Sequence, residues 1–145
     1  MVFEAATPLA VGAVPVFGFV QDLETYPSWF TIVDRAEPLR GSDDDPSWDV
    51  DLAARLGPLK RTKRVRMVRS ALDLADRHVR FERDERDGVQ HSEWILDAAV
   101  DDNARGCTLR MHLRYSGLAW LPGLDLILRE EAKRAGKRLE QLLLR

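Results

Sequence analysis

Between Ser47 and Tyr115 the chain switches between apolar and polar residues at nearly every step, and this two-residue rhythm constrains its fold more than any other feature. Successive side chains of a strand point to opposite faces, so sustained alternation means sheet with one packed face and one wet face. In "SWDVDLAARL" the inward set is Trp48, Val50, Leu52, Ala54 and Leu56, with Asp49, Asp51 and Arg55 opposite. In "TKRVRMVRS" Val65 and Met67 share a face with Lys63 and Arg69, while Arg64 and Arg66 point away. "RHVRFERDE" groups Val79 and Phe81 with Arg83; "SEWILDAAV" groups Trp94, Leu96, Ala98 and Val100; "CTLRMHLRY" groups Leu109, Met111, Leu113 and Tyr115. Turn chemistry at "GPLKR" and "RDG" separates these runs, which read as five or six antiparallel strands. The outward positions carry complementary charges: Asp49 and Asp51 next to Arg64 and Arg66, Arg80 and Glu82, and Glu93 and Asp97 beside Arg110 and Arg114. Such pairs suit a solvated sheet face and argue against a second layer there.

The final segment, "GLDLILREEAKRAGKRLEQLLLR", changes period. Leu121, Leu124, Leu128, Ala132, Ala135, Leu139 and Leu142 recur at steps of three or four, one stripe of a long helix, with Glu130 set to meet Arg134 on its flank. The stripe is bulky at its ends and small in the middle, where Gly136 follows Ala135. A glycine there costs about 1 kcal/mol relative to alanine, so space must favour it. Two explanations remain open: close packing of helix on sheet, or a hollow beneath the waist.

Upstream, Val2 to Ala6 forms a short strand that runs into Pro8. "VPVFGFVQDLETYPSWF" reads as a helix starting at Pro15, with Val16, Phe19, Val20 and Leu23 at helical spacing, ended by Pro27. Trp29, Phe30 and Ile32 make a second short helical turn, and "VDRAEPL" a strand. The turn-rich stretch from 37 to 47 is loop. Neither repeat nor linker interrupts the sequence, so residues 1–145 are expected to form a single domain, and a chain of this length buries roughly 68–70% of its unfolded surface.

A formal charge of -2, from 22 basic and 24 acidic residues, provides no global attraction to nucleic acid or anionic lipid. The basic run "KRTKRVRMVR" alternates with apolar residues and reads as a sheet face, so no nucleic-acid partner is expected. The opening twenty residues lack a basic leader and carry Glu4, Pro8, Gly12 and Pro15, so neither a signal peptide nor membrane insertion is expected. One cysteine, Cys107, makes no intramolecular disulfide and completes no zinc spacing; a cytoplasmic location suits it. His78, His91 and His112 fall on outward positions or in a turn, so no metal is expected. No nucleophile elbow and no phosphate-cradling glycine loop is present, and no cofactor is expected.

The order of elements, with "FVQDLETYPSWF" early and "YSGLAWLPGLDLILREEAKRAGKRLEQLL" at the end, resembles the START-like superfamily, also called SRPBCC. It includes birch-pollen-allergen-like proteins, polyketide cyclases and coenzyme-Q-binding proteins, and the resemblance spans residues 2 to 145. It implies an α+β helix-grip fold, a curved antiparallel sheet wrapped around a long carboxy-terminal helix, with two short helices after the first strand. It also implies a deep apolar cavity holding a lipid, polyketide or aromatic ligand. By the same resemblance the mouth is edged by Arg55 to Arg61, by Asp84 to Ser92 and by Leu118 to Leu124, the first loop swinging as a gate. A dry void of roughly 300 Å³ would cost about 7 kcal/mol at about 24 cal/mol per Å³, a large part of a total stability of about 5–15 kcal/mol, so occupancy or collapse is expected.

The residues expected to contact a ligand are Trp48, Val50, Leu52, Met67, Phe81, Trp94, Leu96, Met111, Leu113, Tyr115, Leu124, Leu128 and Ala132. Trp48 and Trp94 are either flat walls for a ligand or plain core. The candidates for chemistry are Tyr115, whose phenol can donate a hydrogen bond or act as an acid, and Arg69 and Arg83, whose guanidinium groups suit a carboxylate or enolate. Each has an ordinary alternative, a rim tyrosine or an arginine reaching solvent. Binding of a hydrophobic small molecule is the first expectation, a polyketide cyclase or aromatase the second, and a protein-interaction module the third. The oligomeric state is not fixed by these patterns.

Overall fold

The computed structural model describes residues 1–40, 45–116 and 123–144, apart from the side chain of Leu56. Among the described residues seven strands form one antiparallel sheet: β1 (Val2–Leu9), β2 (Val33–Pro38), β3 (Ser47–Leu56), β4 (Leu59–Asp73), β5 (His78–Arg83), β6 (Trp94–Asn103) and β7 (Gly106–Tyr115). Their order across the sheet is β1-β7-β6-β5-β4-β3-β2, a meander from β2 to β7 to which β1 adds at the far edge. Two helices complete the chain, α1 (Ala13–Val20) and α2 (Leu124–Leu143), with a 3-10 helix at Leu23–Ser28 following α1.

The alternation in the sequence is reproduced as burial. Trp48, Val50, Leu52 and Ala54 of β3, Val65 and Met67 of β4, Val79 and Phe81 of β5, and Leu109, Met111, Leu113 and Tyr115 of β7 are all buried. Val68 is buried as well, although it alternates with Met67 on the outward parity, opposite Ser47 of β3 and Glu82 of β5. On the outer face Arg35 reaches Asp51 at 2.9 Å and Asp49 at 3.0 Å, and Arg64 reaches Asp51 at 2.9 Å. These bonds, from Arg64 first and Arg35 second, hold the Asp51 carboxyl below the usual range. Further along, Asp97 pairs with Arg80 at 2.9 and 3.0 Å, while Arg110 takes Asp101 at 2.8 Å and Arg114 takes Glu93 at 2.9 Å.

Several boundaries differ from the sequence reading, each for a local reason. β1 continues through Pro8 to Leu9 because it is an edge strand, where proline is tolerated. α1 begins at Ala13, with Pro15 inside the first turn, where an N–H would be unsatisfied in any case. It stops at Val20, so Leu23 opens the 3-10 helix, Pro27 lies inside that element, and Trp29 to Ile32 form no helical turn of their own. The joint between the helices is fixed by polar groups: the Thr25 hydroxyl lies 2.6 Å from the Phe19 carbonyl, and the buried Tyr26 hydroxyl donates to the Val20 carbonyl at 2.9 Å. The predicted gate, Arg55 to Arg61, is a hairpin in which Leu56 pairs with Leu59 and Arg55 with Lys60. A ladder held to its last pair is no free loop. Leu118 to Pro122 of the predicted mouth, with Leu121 of the helical stripe among them, lie outside the described residues.

α2 lies along the inner face with Leu124, Leu128, Ala132, Ala135, Gly136 and Leu139 buried. A Cβ on Gly136 would lie 2.5 Å from the Thr7 Cγ2 of β1. Close packing therefore explains the small waist at this position: helix and edge strand touch where the glycine is. Glu130 pairs with Lys133, at 3.4 Å, and Arg134 is not its partner.

Candidate functional site

What α2 covers is an apolar space between its first half and the sheet. It is lined by Phe3, Leu23, Tyr26, Phe30, Ile32, Val33, Val50, Leu52, Val65, Met67, Trp94, Leu96, Met111, Leu113 and Leu128, and its volume is about 50 Å³. Eight of the expected contacts, Val50, Leu52, Met67, Trp94, Leu96, Met111, Leu113 and Leu128, are on this wall. Trp48, Phe81, Tyr115, Leu124 and Ala132 are buried beside it and do not line it.

The space is far smaller than the deep cavity that the resemblance implies, and what fills it is identifiable. "YPSWF" folds inward: Tyr26 and Trp29 are fully buried, Phe30 nearly so, and their rings stand 4.4 to 6.4 Å apart. Phe81 meets Tyr26 edge-on at 6.0 Å and Trp48 at 5.5 Å. Edge-to-face packing of this kind adds about 0.5–1.5 kcal/mol per pair beyond area burial. The remaining void costs about 1 kcal/mol at about 24 cal/mol per Å³, which a folded domain tolerates empty. The described lining residues turn no polar atom toward the space, so it stays dry. Of the lining residues outside the expected set, Tyr26 and Phe30 were visible in the sequence as part of the aromatic run "YPSWF".

The anchoring of α2 over this space is uneven. Among the described residues its polar ties to the rest of the molecule all come from Glu131 onward. The Glu131 carboxylate, 5% exposed, accepts from the Thr31 backbone N–H at 2.5 Å, the Thr31 hydroxyl at 2.8 Å and Arg138 at 2.9 Å. Glu140 accepts from the Ala10 N–H at 2.9 Å. Before Glu131, the described residues hold the helix down through apolar contacts, chiefly Leu124 and Leu128. Its N-cap, Gly123, supplies no side-chain hydrogen bond.

The three polar candidates occupy separate settings. Tyr115 stacks on Trp94, centroids 5.5 Å apart at 21°, and its hydroxyl makes no hydrogen bond with any described residue. Burial, and then Asp125 at the start of α2, push its phenol above the usual range, so it stays protonated and able to donate. Arg69 is spent on structure: it donates to the Gln21 carbonyl at 3.0 Å and to Asp22 at 3.1 Å, with its guanidinium 6.0 Å from the Trp48 ring. Arg83, its side chain 10% exposed, donates to Glu85 at 2.6 Å and to the Ser92 hydroxyl at 2.8 Å. Of the histidines, His78 meets Asp97 at 2.9 Å and His91 meets Asp87 at 2.7 Å, both toward solvent.

No protein-family model matches the chain, and no curated protein matches it. Solved structures do. A protein from Thermus thermophilus aligns with a TM-score of 0.70 at 14% identity, over 99% of this chain and 97% of that one. A START superfamily protein from Mycobacterium smegmatis aligns at 0.65 and 16% identity, and Ara h 8.0201 at 0.65 and 15%, each over 99% of this chain and 97% of the other. The fold is therefore the helix-grip fold of START-like proteins, as the order of elements led us to expect. At these identities the likeness establishes the fold and leaves function to the site. No helix among the described residues is long and apolar enough to cross a membrane.

Proposed function

We propose that this protein binds a hydrophobic small molecule, a lipid, polyketide or aromatic compound, in the apolar space between the sheet and the first half of α2. The observation that carries this reading is the pairing of an apolar, unfilled interior with a helix whose polar ties, among the described residues, all come from Glu131 onward. The resting space is too small for a ligand, since pockets for drug-sized molecules run to about 300–1,000 Å³. Binding therefore requires the first half of α2 to lift. Exposing Leu124 and Leu128 costs about 1.5–3 kcal/mol each, whereas burying ten methylenes of an alkyl chain returns about 8 kcal/mol. The exchange favours the occupied state for a long chain and the closed state without one.

Binding explains the polar groups better than catalysis does. Arg69 is committed to the α1 joint, so a cyclase or aromatase would have only Arg83 to set beside Tyr115, and Arg83 is itself bonded to Glu85 and Ser92. A single buried cysteine, Cys107, fits a reducing compartment, and we propose a cytoplasmic location. Replacing Met111 by tryptophan fills the space from the sheet side. Calorimetric titration with dodecanol is expected to show affinity lowered by at least about tenfold, with overpacking costing about 1–3 kcal/mol of stability. Unchanged affinity in a folded variant would remove this space from the account.

A further inference from the structure

At one end of the inner face, next to the apolar space, three polar side chains meet that core packing does not require. Lys63 lies on β4 opposite Leu52 and two residues before Val65, both of which line the space. Arg83 stands opposite Met67, another lining residue, and Ser92 comes two residues before Trp94. Lys63 Nζ donates to the Ser92 hydroxyl oxygen at 3.0 Å, and Arg83 Nη1 donates to the same oxygen at 2.8 Å.

Two donors thus occupy both lone pairs of one hydroxyl, which leaves Ser92 with only its own proton to offer. No described residue accepts that proton. Lys63 Nζ retains two further N–H groups, and Arg83 Nη2 makes no bond with any described residue. The cluster is a set of donors aimed at an acceptor that none of the described residues provides. Its charge is also uncompensated: of Lys63, Arg83 and Glu85, two are cationic and one anionic, and Glu85 is bonded to Arg83 at 2.6 Å and to the Arg66 backbone N–H at 3.1 Å. Partial burial, followed by repulsion from Arg83, pushes the Lys63 ammonium below its usual range against a weaker pull from Glu85. The other acids of the connecting segment are engaged elsewhere, Asp87 with His91 and Val89, Asp84 with the Arg86 N–H, and Glu93 with Arg114.

We propose that Lys63, Arg83 and Ser92 receive the carboxylate of an amphipathic acid whose apolar body occupies the space under α2. This rests on the binding function proposed above and narrows its ligand to a monoanion with a long or ring-bearing apolar tail. The carboxylate supplies the acceptors that three convergent donors lack, and its charge balances the surplus cation. Charge-assisted bonds of this kind are roughly twice as strong as neutral ones.

Titration calorimetry with dodecanoate and with dodecanol, below their aggregation concentrations, separates head from tail. The parent protein is expected to prefer dodecanoate by at least about tenfold. Lys63→Met should abolish that preference while leaving dodecanol affinity unchanged, and Lys63→Arg should keep it. Dodecanol binding reports that each variant is folded; should Lys63→Met lose structure, Ser92→Ala is expected to lower dodecanoate affinity alone. Equal affinity of the parent for acid and alcohol, or undiminished dodecanoate binding in the folded Lys63→Met variant, overturns the assignment and leaves apolar uptake standing. Binding of neither compound overturns apolar uptake itself, and the assignment with it.

Discussion

Replacing Gly106 by alanine is expected to cost about 4 kcal/mol or more and to leave little folded protein at physiological temperature. Gly106 opens β7 at a φ of 155°, and an added Cβ would lie 2.4 Å from the Leu9 carbonyl oxygen, 2.6 Å from that of Val11 and 2.8 Å from the Val11 nitrogen. All three are backbone atoms, which cannot rotate aside as a side chain would. The clash would pull the end of β1 away from β7, whose register pairs Leu9 with Cys107, and would shift the chain entering α1. Most substitutions cost about 0.5–3 kcal/mol of a total of about 5–15, so this one stands at the severe end. Urea unfolding measures it; a stability within about 1 kcal/mol of the parent would mean that β1 and β7 cross with room to spare.

The second large effect is expected at Glu131. Its carboxylate is nearly buried and joins α2 to the segment before β2 through Thr31, and to Arg138 on its own helix. Glu131→Ala removes three hydrogen bonds, one to a cation, at an expected cost of about 3 kcal/mol, reduced from the fully buried case because Arg138 keeps 32% of its side-chain surface in water. Glu131→Gln keeps an acceptor for Thr31 and is expected to cost about half as much. The pair of variants, compared by thermal unfolding, separates the charge from the hydrogen bonds. Equal stability of Glu131→Ala and the parent would mean that Glu131 adds nothing to holding α2, and the one-ended clamp proposed here would lose its principal tie.

The inner face of the sheet was legible because alternation is a local property. Trp48 to Ala54 and Leu109 to Tyr115 repeat at a period of two, and nothing in the tertiary structure disturbs that period. Val68 escaped because its parity points outward, and its burial on that face is set by neighbouring strands rather than by its own alternation. The cavity's size was not legible at all. It depends on how far "YPSWF" turns inward, and that is decided by contacts remote in sequence: Phe81 against Tyr26, and Arg69 against the Gln21 carbonyl. Read locally, Pro27 looks like a helix terminator; in three dimensions it lies in a 3-10 helix that delivers Tyr26 and Trp29 into the core. Parity places Arg83 on the inner face, but its convergence with Lys63 on Ser92 joins three segments and appears only once β4, β5 and the start of β6 are folded together.

The central claim is that a ligand enters the space under the first half of α2, and the chain's methionines test it directly. Of the three, Met67 and Met111 line the space, while Met1 is 58% exposed at the amino terminus. With the methionine methyl groups labelled with carbon-13, titration with dodecanoate, dodecanol and 2-naphthol is followed by nuclear magnetic resonance. The account predicts saturable shifts of the Met67 and Met111 methyl signals for at least one probe, with the Met1 signal unmoved. Saturation of none of the three probes at millimolar concentration, or binding that shifts Met1 and leaves Met67 and Met111 in place, would contradict it.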